Sequence, residues 1–229
     1  MTVLYALGIA CVCASVATAY CRNKKLEKAQ LSLKLTASML FCVTGVHAAA
    51  LRESMNARAA LLLIALLLGL LGDVLLGLDY FLKKEHIAFI FLLGGGSFFF
   101  GHLLYVLLLL PLGGFHPWLL ALLPFVPLLF LALQRCRILD LGKNLIPLMA
   151  YGLMLGAMLL STLNLALQGG TLGRWMIFPG IFFVISDLSL FLSKFGNQRI
   201  TPLQNALSYM IMLPYFSAQA IFAVTVGLV

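Results

Sequence analysis

Residues 66–77 read LLLGLLGDVLLG, an apolar run that holds a single acid, Asp73. The predicted span around it covers residues 58–78, which as a helix is long enough to cross the ~30 Å hydrocarbon core of a bilayer. An ionisable side chain in such a segment is costly and marks a functional site by default. A second run, Phe178 to Phe191, holds Ser186 and Asp187 in the same setting. The two acids predict acid–base chemistry within the membrane.

Composition points to a membrane protein along the whole chain. Of the 229 residues, 63% are hydrophobic and 10% charged, and the mean hydropathy of +1.09 leaves too little polar surface for a soluble domain. Helices satisfy their own backbone hydrogen bonds in lipid. We therefore predict an all-α, polytopic membrane helix bundle in which residues 1–229 form a single integral-membrane domain. About eight transmembrane helices are expected, at residues 2–20, 31–50, 58–78, 86–110, 117–133, 144–166, 174–194 and 204–228.

The basic residues indicate how the chain is oriented. Eleven of the fifteen Lys and Arg residues fall in the first, third, fifth and seventh connections, three fall in the others, and Lys34 lies within a span. This bias places the odd connections in the cytoplasm and both termini on the non-cytoplasmic side. It also explains the net charge of +8 without nucleic acid as a partner. A bacterial cytoplasmic (inner) membrane and the endoplasmic reticulum membrane fit equally well.

Helical rise ranks the polar residues by depth. Measured from the span midpoints at ~1.5 Å per residue, Asp73 and Asp187 differ in height by only about 3 Å. Other polar residues share that cytoplasmic half or lie slightly deeper: Lys34, Asn144, Tyr151, Ser186 and Tyr215. His102 and Tyr105 lie roughly 10 Å farther out by the same count, a gap that a tilted helix or another span boundary would reduce.

Several residues also allow a purely structural interpretation. Asp73 could form a buried ion pair with Lys34 or, like Asp187, stay protonated, and Lys34 could extend to the headgroups instead. Gly69 and Gly77 share the Asp73 face of the helix. That glycine stripe could admit a lipid chain or could let two helices pack closely.

Five short motifs and one lysine occur in a recognisable order. They are Lys34, Gly72-Asp73, Gly101-His102-Leu103-Leu104-Tyr105, Ala150-Tyr151-Gly152, Ser186-Asp187 and Tyr215-x-x-x-Gln219. Together they resemble the YhhN-type lysoplasmalogenase family of multi-pass membrane hydrolases, from about the second span to the C-terminus.

The resemblance implies hydrolysis of the vinyl ether bond of 1-alkenyl lysophospholipids to a fatty aldehyde and glycerophosphoethanolamine or glycerophosphocholine. The substrate is a membrane lipid, and neither a metal nor an organic cofactor is expected. Asp73 and Asp187 are the expected catalytic pair, with the choice of acid left open. Lys34 would bind the phosphate or keep an Asp ionised. The remaining candidates would orient the carboxyls or the substrate, or complete the polar network: His102, Tyr105, Asn144, Tyr151, Ser186, Tyr215 and Gln219.

Two other functions compete with this interpretation. A transporter or proton-coupled carrier would use the buried acids to bind a cation or relay protons. An intramembrane aspartyl protease is suggested only loosely by Gly72-Asp73, because the first glycine of the Gly-x-Gly-Asp motif of such proteases is missing here. Serine hydrolase, zincin and nucleotide-binding motifs are absent from the sequence, and the five cysteines lack metal-ligand spacing.

Overall fold

The computed structural model describes residues 2–52, 55–78, 81–113, 116–198 and 200–229. Within these ranges the chain is all-helical. Its α-helices are α1 (Thr2–Asn23), α2 (Glu27–Ala50), α3 (Ala57–Gly77), α4 (Lys84–Gly113), α5 (Phe125–Arg135), α6 (Leu145–Leu167), α7 (Thr171–Phe195) and α8 (Gln204–Thr225).

Seven helices in the described ranges are long and apolar enough to cross a membrane, which makes the chain an integral membrane protein. The fifth predicted span, 117–133, is wrong as one continuous helix. It consists of a 3-10 helix, Pro117–Leu122, followed by the 11-residue α5. Pro124 and Pro127 explain the break, because each lacks a backbone N–H and hinders the turn before it. Alone, α5 covers only about 16 Å.

The divided fifth segment nevertheless returns from one end of the bundle to the other. Helices α4 and α6 run parallel, since His102 contacts Tyr151 at 3.2 Å and the Gly113 carbonyl accepts a 2.9 Å hydrogen bond from Asn164. The chain between two parallel helices has to cross back. Phe130 of α5 packs against Gly152 of α6 on that return path.

Both termini therefore lie at one end of the bundle. The Asn56 side chain at the start of α3 donates a 2.8 Å hydrogen bond to the carbonyl of Val229, and the short turn after α1 sets that helix antiparallel to α2. At the opposite end, the backbone N–H of Asp140 bonds the Phe195 carbonyl at 2.8 Å, which ties the connection before α6 to the end of α7. The non-cytoplasmic location of the termini stays a prediction from the charge bias.

Helix α8 is the most buried of the spans and packs against α1, α2, α3 and α7. Small residues such as Ala218 and Ala223 let its neighbours approach. Aromatic rings fill the remaining space: Phe216 lies 4.8 Å from the Tyr215 ring, and Phe222 stacks on Tyr105 at 3.9 Å. This core gives the polar residues of α8 a closely packed support.

Candidate active site

A cavity opens at the end of the bundle opposite the termini. Six helices, α1 to α4, α7 and α8, together with Tyr151 of α6, line it. Both Asp73 and Asp187 lie on its wall, although they belong to helices far apart in the sequence. Because the two residues are only 1% and 6% exposed, each carboxyl group needs polar partners within the protein.

Asp73 is held by three donors. One carboxylate oxygen lies 3.2 Å from the Lys34 ammonium, and the other accepts hydrogen bonds from Ser38 at 2.7 Å and Tyr215 at 2.8 Å. Lys34 and Ser38 are four residues apart on α2 and so present their side chains on one face. Lys34 is 8% exposed and does not extend to the headgroups. The ion-pair interpretation of these two residues is the one observed.

A series of hydrogen bonds behind Asp73 holds the side chain of Tyr215 in place. The Gln219 amide donates to the Tyr215 hydroxyl at 3.2 Å, and Tyr105 donates to the Gln219 carbonyl oxygen at 2.7 Å. Tyr105 and Gln219 are buried behind the cavity wall, at 1% and 2% exposed. They support Tyr215, whose hydroxyl then points at the carboxylate.

Asp187 has a different set of partners. Tyr151 donates a 2.8 Å hydrogen bond to one carboxylate oxygen, and Nε2 of His102 lies 3.4 Å from the same oxygen and 3.2 Å from the tyrosine hydroxyl. The 10 Å depth gap predicted for His102 is therefore wrong. Helix α4 spans 30 residues, about 45 Å of helix, so its midpoint is a poor marker of the bilayer centre.

The ring of Phe183 lies between the side chains that contact Asp187 and those that contact Asp73. The Phe183 ring is 4.8 Å from the His102 ring and 5.9 Å from the Tyr215 ring, and it lines the same cavity. It separates the hydrogen-bonded group around Asp187 from the group around Asp73. A substrate in the cavity would thus meet two polar groups across an apolar surface.

Two other candidate residues, Ser186 and Asn144, lie outside the hydrogen-bonded groups around the acids. Ser186 lines the cavity, but its hydroxyl donates to the backbone carbonyl of Ile211 at 2.9 Å and so joins α7 to α8. Asn144 is exposed at the start of α6 and lines a separate, mostly apolar hollow beside Tyr151. The structure thus places Asn144 outside the cavity that the two acids share.

The glycine stripe on α3 is filled by side chains. A Cβ on Gly69 would collide with the Gln219 amide, and a Cβ on Gly77 would collide with Leu31 of α2. At these two positions the glycines allow close packing, and Gly77 also lines the cavity. Gly69 in particular lets Gln219 reach the hydroxyl of Tyr215.

The structure also adds residues that the sequence motifs did not include. Ser38 lies one turn after Lys34, a spacing that could have suggested it. Phe183 carried no signal, because phenylalanine is common throughout the apolar runs. Arg22 and Lys194 lie near the ends of α1 and α7 and line the cavity. Among the side chains that the structure describes, no three His, Cys, Asp or Glu residues come together as a metal site.

Long apolar helices around two buried, separately hydrogen-bonded carboxyl groups define a polytopic membrane protein with an intramembrane pair of acids. The YhhN family model matches residues 29–226, and the chain belongs to the YhhN family. The match covers every residue of the Asp73 and Asp187 groups and leaves out α1. No curated protein and no solved structure matches the chain.

Proposed function

We propose that this protein is a lysoplasmalogenase, which hydrolyses the vinyl ether bond of a 1-alkenyl lysophospholipid to a fatty aldehyde and a glycerophosphoalcohol. Membership of the YhhN family is consistent with this activity. The observation that carries the proposal is the unequal partnership of the two acids on one cavity. Asp73 faces a lysine, whereas Asp187 faces a histidine and a tyrosine.

This asymmetry assigns a role to each acid. The ammonium of Lys34 and the hydroxyls of Ser38 and Tyr215 all stabilise the anionic form of Asp73, so this carboxyl is the acceptor. Asp187 is bonded instead by Tyr151 and lies beside His102, with no lysine or arginine among its described partners. Asp187 is accordingly the donor.

The reaction then balances with one donor, one acceptor and one water. Asp187 delivers its proton to the outer carbon of the C=C–O unit, and the inner carbon becomes an oxocarbenium ion stabilised by nearby carboxylate charge. Water attacks the inner carbon while Asp73 accepts one of its protons. The hemiacetal passes its hydroxyl proton to the ether oxygen, the C–O bond breaks, and aldehyde and alcohol leave. Transfer of the proton that Asp73 accepted to Asp187, directly or through water, restores both acids and completes the cycle.

Aldehyde release from purified protein in detergent tests the proposal. The protein is incubated with matched alkenyl, alkyl and acyl lysophospholipids, and only the alkenyl lipid is expected to yield aldehyde. Asp73→Asn and Asp187→Asn should each abolish release. Asp187→Asn should melt near the wild-type temperature, whereas Asp73→Asn leaves Lys34 buried without its partner and should melt lower while remaining folded. Asp140→Asn is the matched control, because Asp140 is exposed and lies outside the cavity.

Three results would contradict the proposal. Cleavage of the acyl lipid alone would make the protein an ester hydrolase. Full turnover in either Asn variant would remove that acid from the mechanism. Gradient-driven uptake into vesicles with every tested lipid left intact would support the carrier.

A further inference from the structure

Two basic residues stand at the mouth of the cavity, away from both acids. Arg22 lies in the last turn of α1 and Lys194 in the last turn of α7, and both line the same cavity as Asp187. Lys194 is exposed and Arg22 half-buried, so a headgroup could approach both of them from the membrane surface. Neither residue belongs to a motif around the acids, and Arg22 precedes the residues that match the family.

Polar contacts hold the arginine in place. Its guanidinium donates a 3.0 Å hydrogen bond to the Ser193 hydroxyl, which in turn donates to the Gln204 side chain at 2.7 Å. The Gln204 amide also donates to the Ser193 carbonyl, at 3.1 Å. Lys194 lies over the ring of Phe91, with 5.8 Å between its ammonium and the ring centre. Side chains from four helices therefore arrange the mouth.

The charge balance of the cavity favours an anion at this mouth. The charge of Lys34 is compensated by Asp73 at 3.2 Å, so that lysine adds little net positive charge. Among the described residues, Arg22 and Lys194 are the two other Lys or Arg side chains that line the cavity, and both lie at its opening. Arginine binds phosphate oxygens through several N–H groups at once, and lysine adds a point charge.

The spacing along α7 matches a single-chain phospholipid. Asp187, Leu190 and Lys194 lie on one face of α7 and all line the cavity. Seven residues separate the acid from the lysine, which is about 10 Å of helix. Seven covalent bonds separate the protonated vinyl carbon of a lysoplasmalogen from its phosphorus, and at the reach of an extended chain they cover about 8 Å.

We propose that Arg22 and Lys194 form a phosphate site that binds the phosphodiester of a single-chain phospholipid and so sets the vinyl ether beside Asp187. The inference rests on the proposed function for its substrate, but it concerns binding and is tested by binding. The ligand is the phosphodiester of a lipid and not a free phosphate ion, because the hydrocarbon chain of the lipid would continue from the phosphate into the apolar part of the cavity. Lys34 is then an ion-pair partner and not the phosphate ligand.

The test measures equilibrium binding of a saturated ether analogue of lysophosphatidylcholine, which has no vinyl ether to hydrolyse. The wild type is compared with Arg22→Gln/Lys194→Gln by microscale thermophoresis in detergent. Loss of two charge-assisted contacts should raise Kd roughly tenfold or more. Lys28→Gln/Lys143→Gln is the matched control, since it removes two exposed cations from the same end of the bundle outside the cavity. Its Kd should equal that of wild type.

Further ligands separate a lipid headgroup from a free anion. The corresponding alkylglycerol, which lacks phosphate, should bind the wild type more weakly and should not distinguish the double variant from it. Glycerophosphocholine and inorganic phosphate should each compete poorly with the ether lipid. Tight binding of inorganic phosphate together with no preference for the lipid would overturn the inference, as would an unchanged Kd in the folded double variant.

Two additional measurements keep the result interpretable. Arg22→Lys should retain most of the affinity if charge is what matters, and thermal melting verifies that each variant is folded. If the wild type releases aldehyde, Arg22→Gln/Lys194→Gln should raise KM far more than it lowers kcat. If the wild type releases no aldehyde but the double variant still binds the ether lipid more weakly, the proposed reaction is refuted and the phosphate site is supported.

Discussion

Replacing Lys34 by Met tests how the site keeps one acid ionised. The ammonium lies 3.2 Å from Asp73, and the two side chains are 9% and 2% exposed, so solvent screens the pair very little. With an effective dielectric constant of about 20, two unit charges 3.2 Å apart attract by about 5 kcal/mol. Removing one partner of a buried ion pair destabilises a protein by about 3–5 kcal/mol. Asp73 can escape that cost only by taking up a proton.

The consequence for activity follows from that proton. With Asp73 neutral, the cavity loses its acceptor, and the rate of aldehyde release should fall by about 10²–10⁴-fold. The melting temperature of Lys34→Met should also fall, and adding Asp73→Asn should recover part of it because the unpaired charge is gone. Lys28→Met is the control, since Lys28 is exposed on the same helix.

The assay is a double-mutant cycle with two readings for each protein, the initial rate of aldehyde release and the melting temperature in detergent. A rate for Lys34→Met within about threefold of wild type would refute the role given to the ion pair, because so small a change is under 1 kcal/mol. If Lys34→Met/Asp73→Asn melts at a lower temperature than Lys34→Met alone, then the single variant did not contain a destabilising unpaired charge on Asp73.

Three more outcomes follow from the structure. Gly69→Ala should push the Gln219 amide out of place and lower activity about tenfold or more, the loss expected for a hydrogen bond to an ionised acid, whereas Gly95→Ala, which has open space, should be harmless in the same assay. Tyr151→Phe removes the hydroxyl bonded to Asp187 at 2.8 Å and should lower kcat about 10–100-fold; an unchanged kcat would separate this tyrosine from the chemistry. Reporter fusions at the N- and C-termini should both report the non-cytoplasmic side, and opposite sides would contradict the placement of both termini at one end of the bundle.

Much of the fold was predictable because lipid restricts backbone structure so strongly. An apolar segment of about 20 residues has to form a helix, since its N–H and C=O groups find no partners in hydrocarbon. Seven long apolar helices in the described parts of the chain confirm this. The fifth span was less predictable, because hydropathy measures apolar character, whereas Pro124 and Pro127 divide a segment that is apolar throughout.

The sequence predicted which ionisable residues form the site, but it did not predict which of them contact one another. Buried ionisable residues are rare enough in membrane helices that Asp73, Asp187 and Lys34 stand out in the sequence itself. Which acid the lysine meets depends on how α2 is rotated against α3. The position of His102 depends on how the long helix α4 lies against α6, which span midpoints do not report.

The sequence by itself determined that this is a membrane-embedded helical protein with two acids inside the apolar layer, because hydropathy and the cost of buried charge act on each segment locally. Tertiary structure alone decided the partners of each acid. Tyr215 reaches Asp73 across 142 positions of the chain, and His102 reaches Asp187 across 85. Such contacts depend on the tilt and rotation of whole helices, which packing among all the helices sets and no single segment encodes.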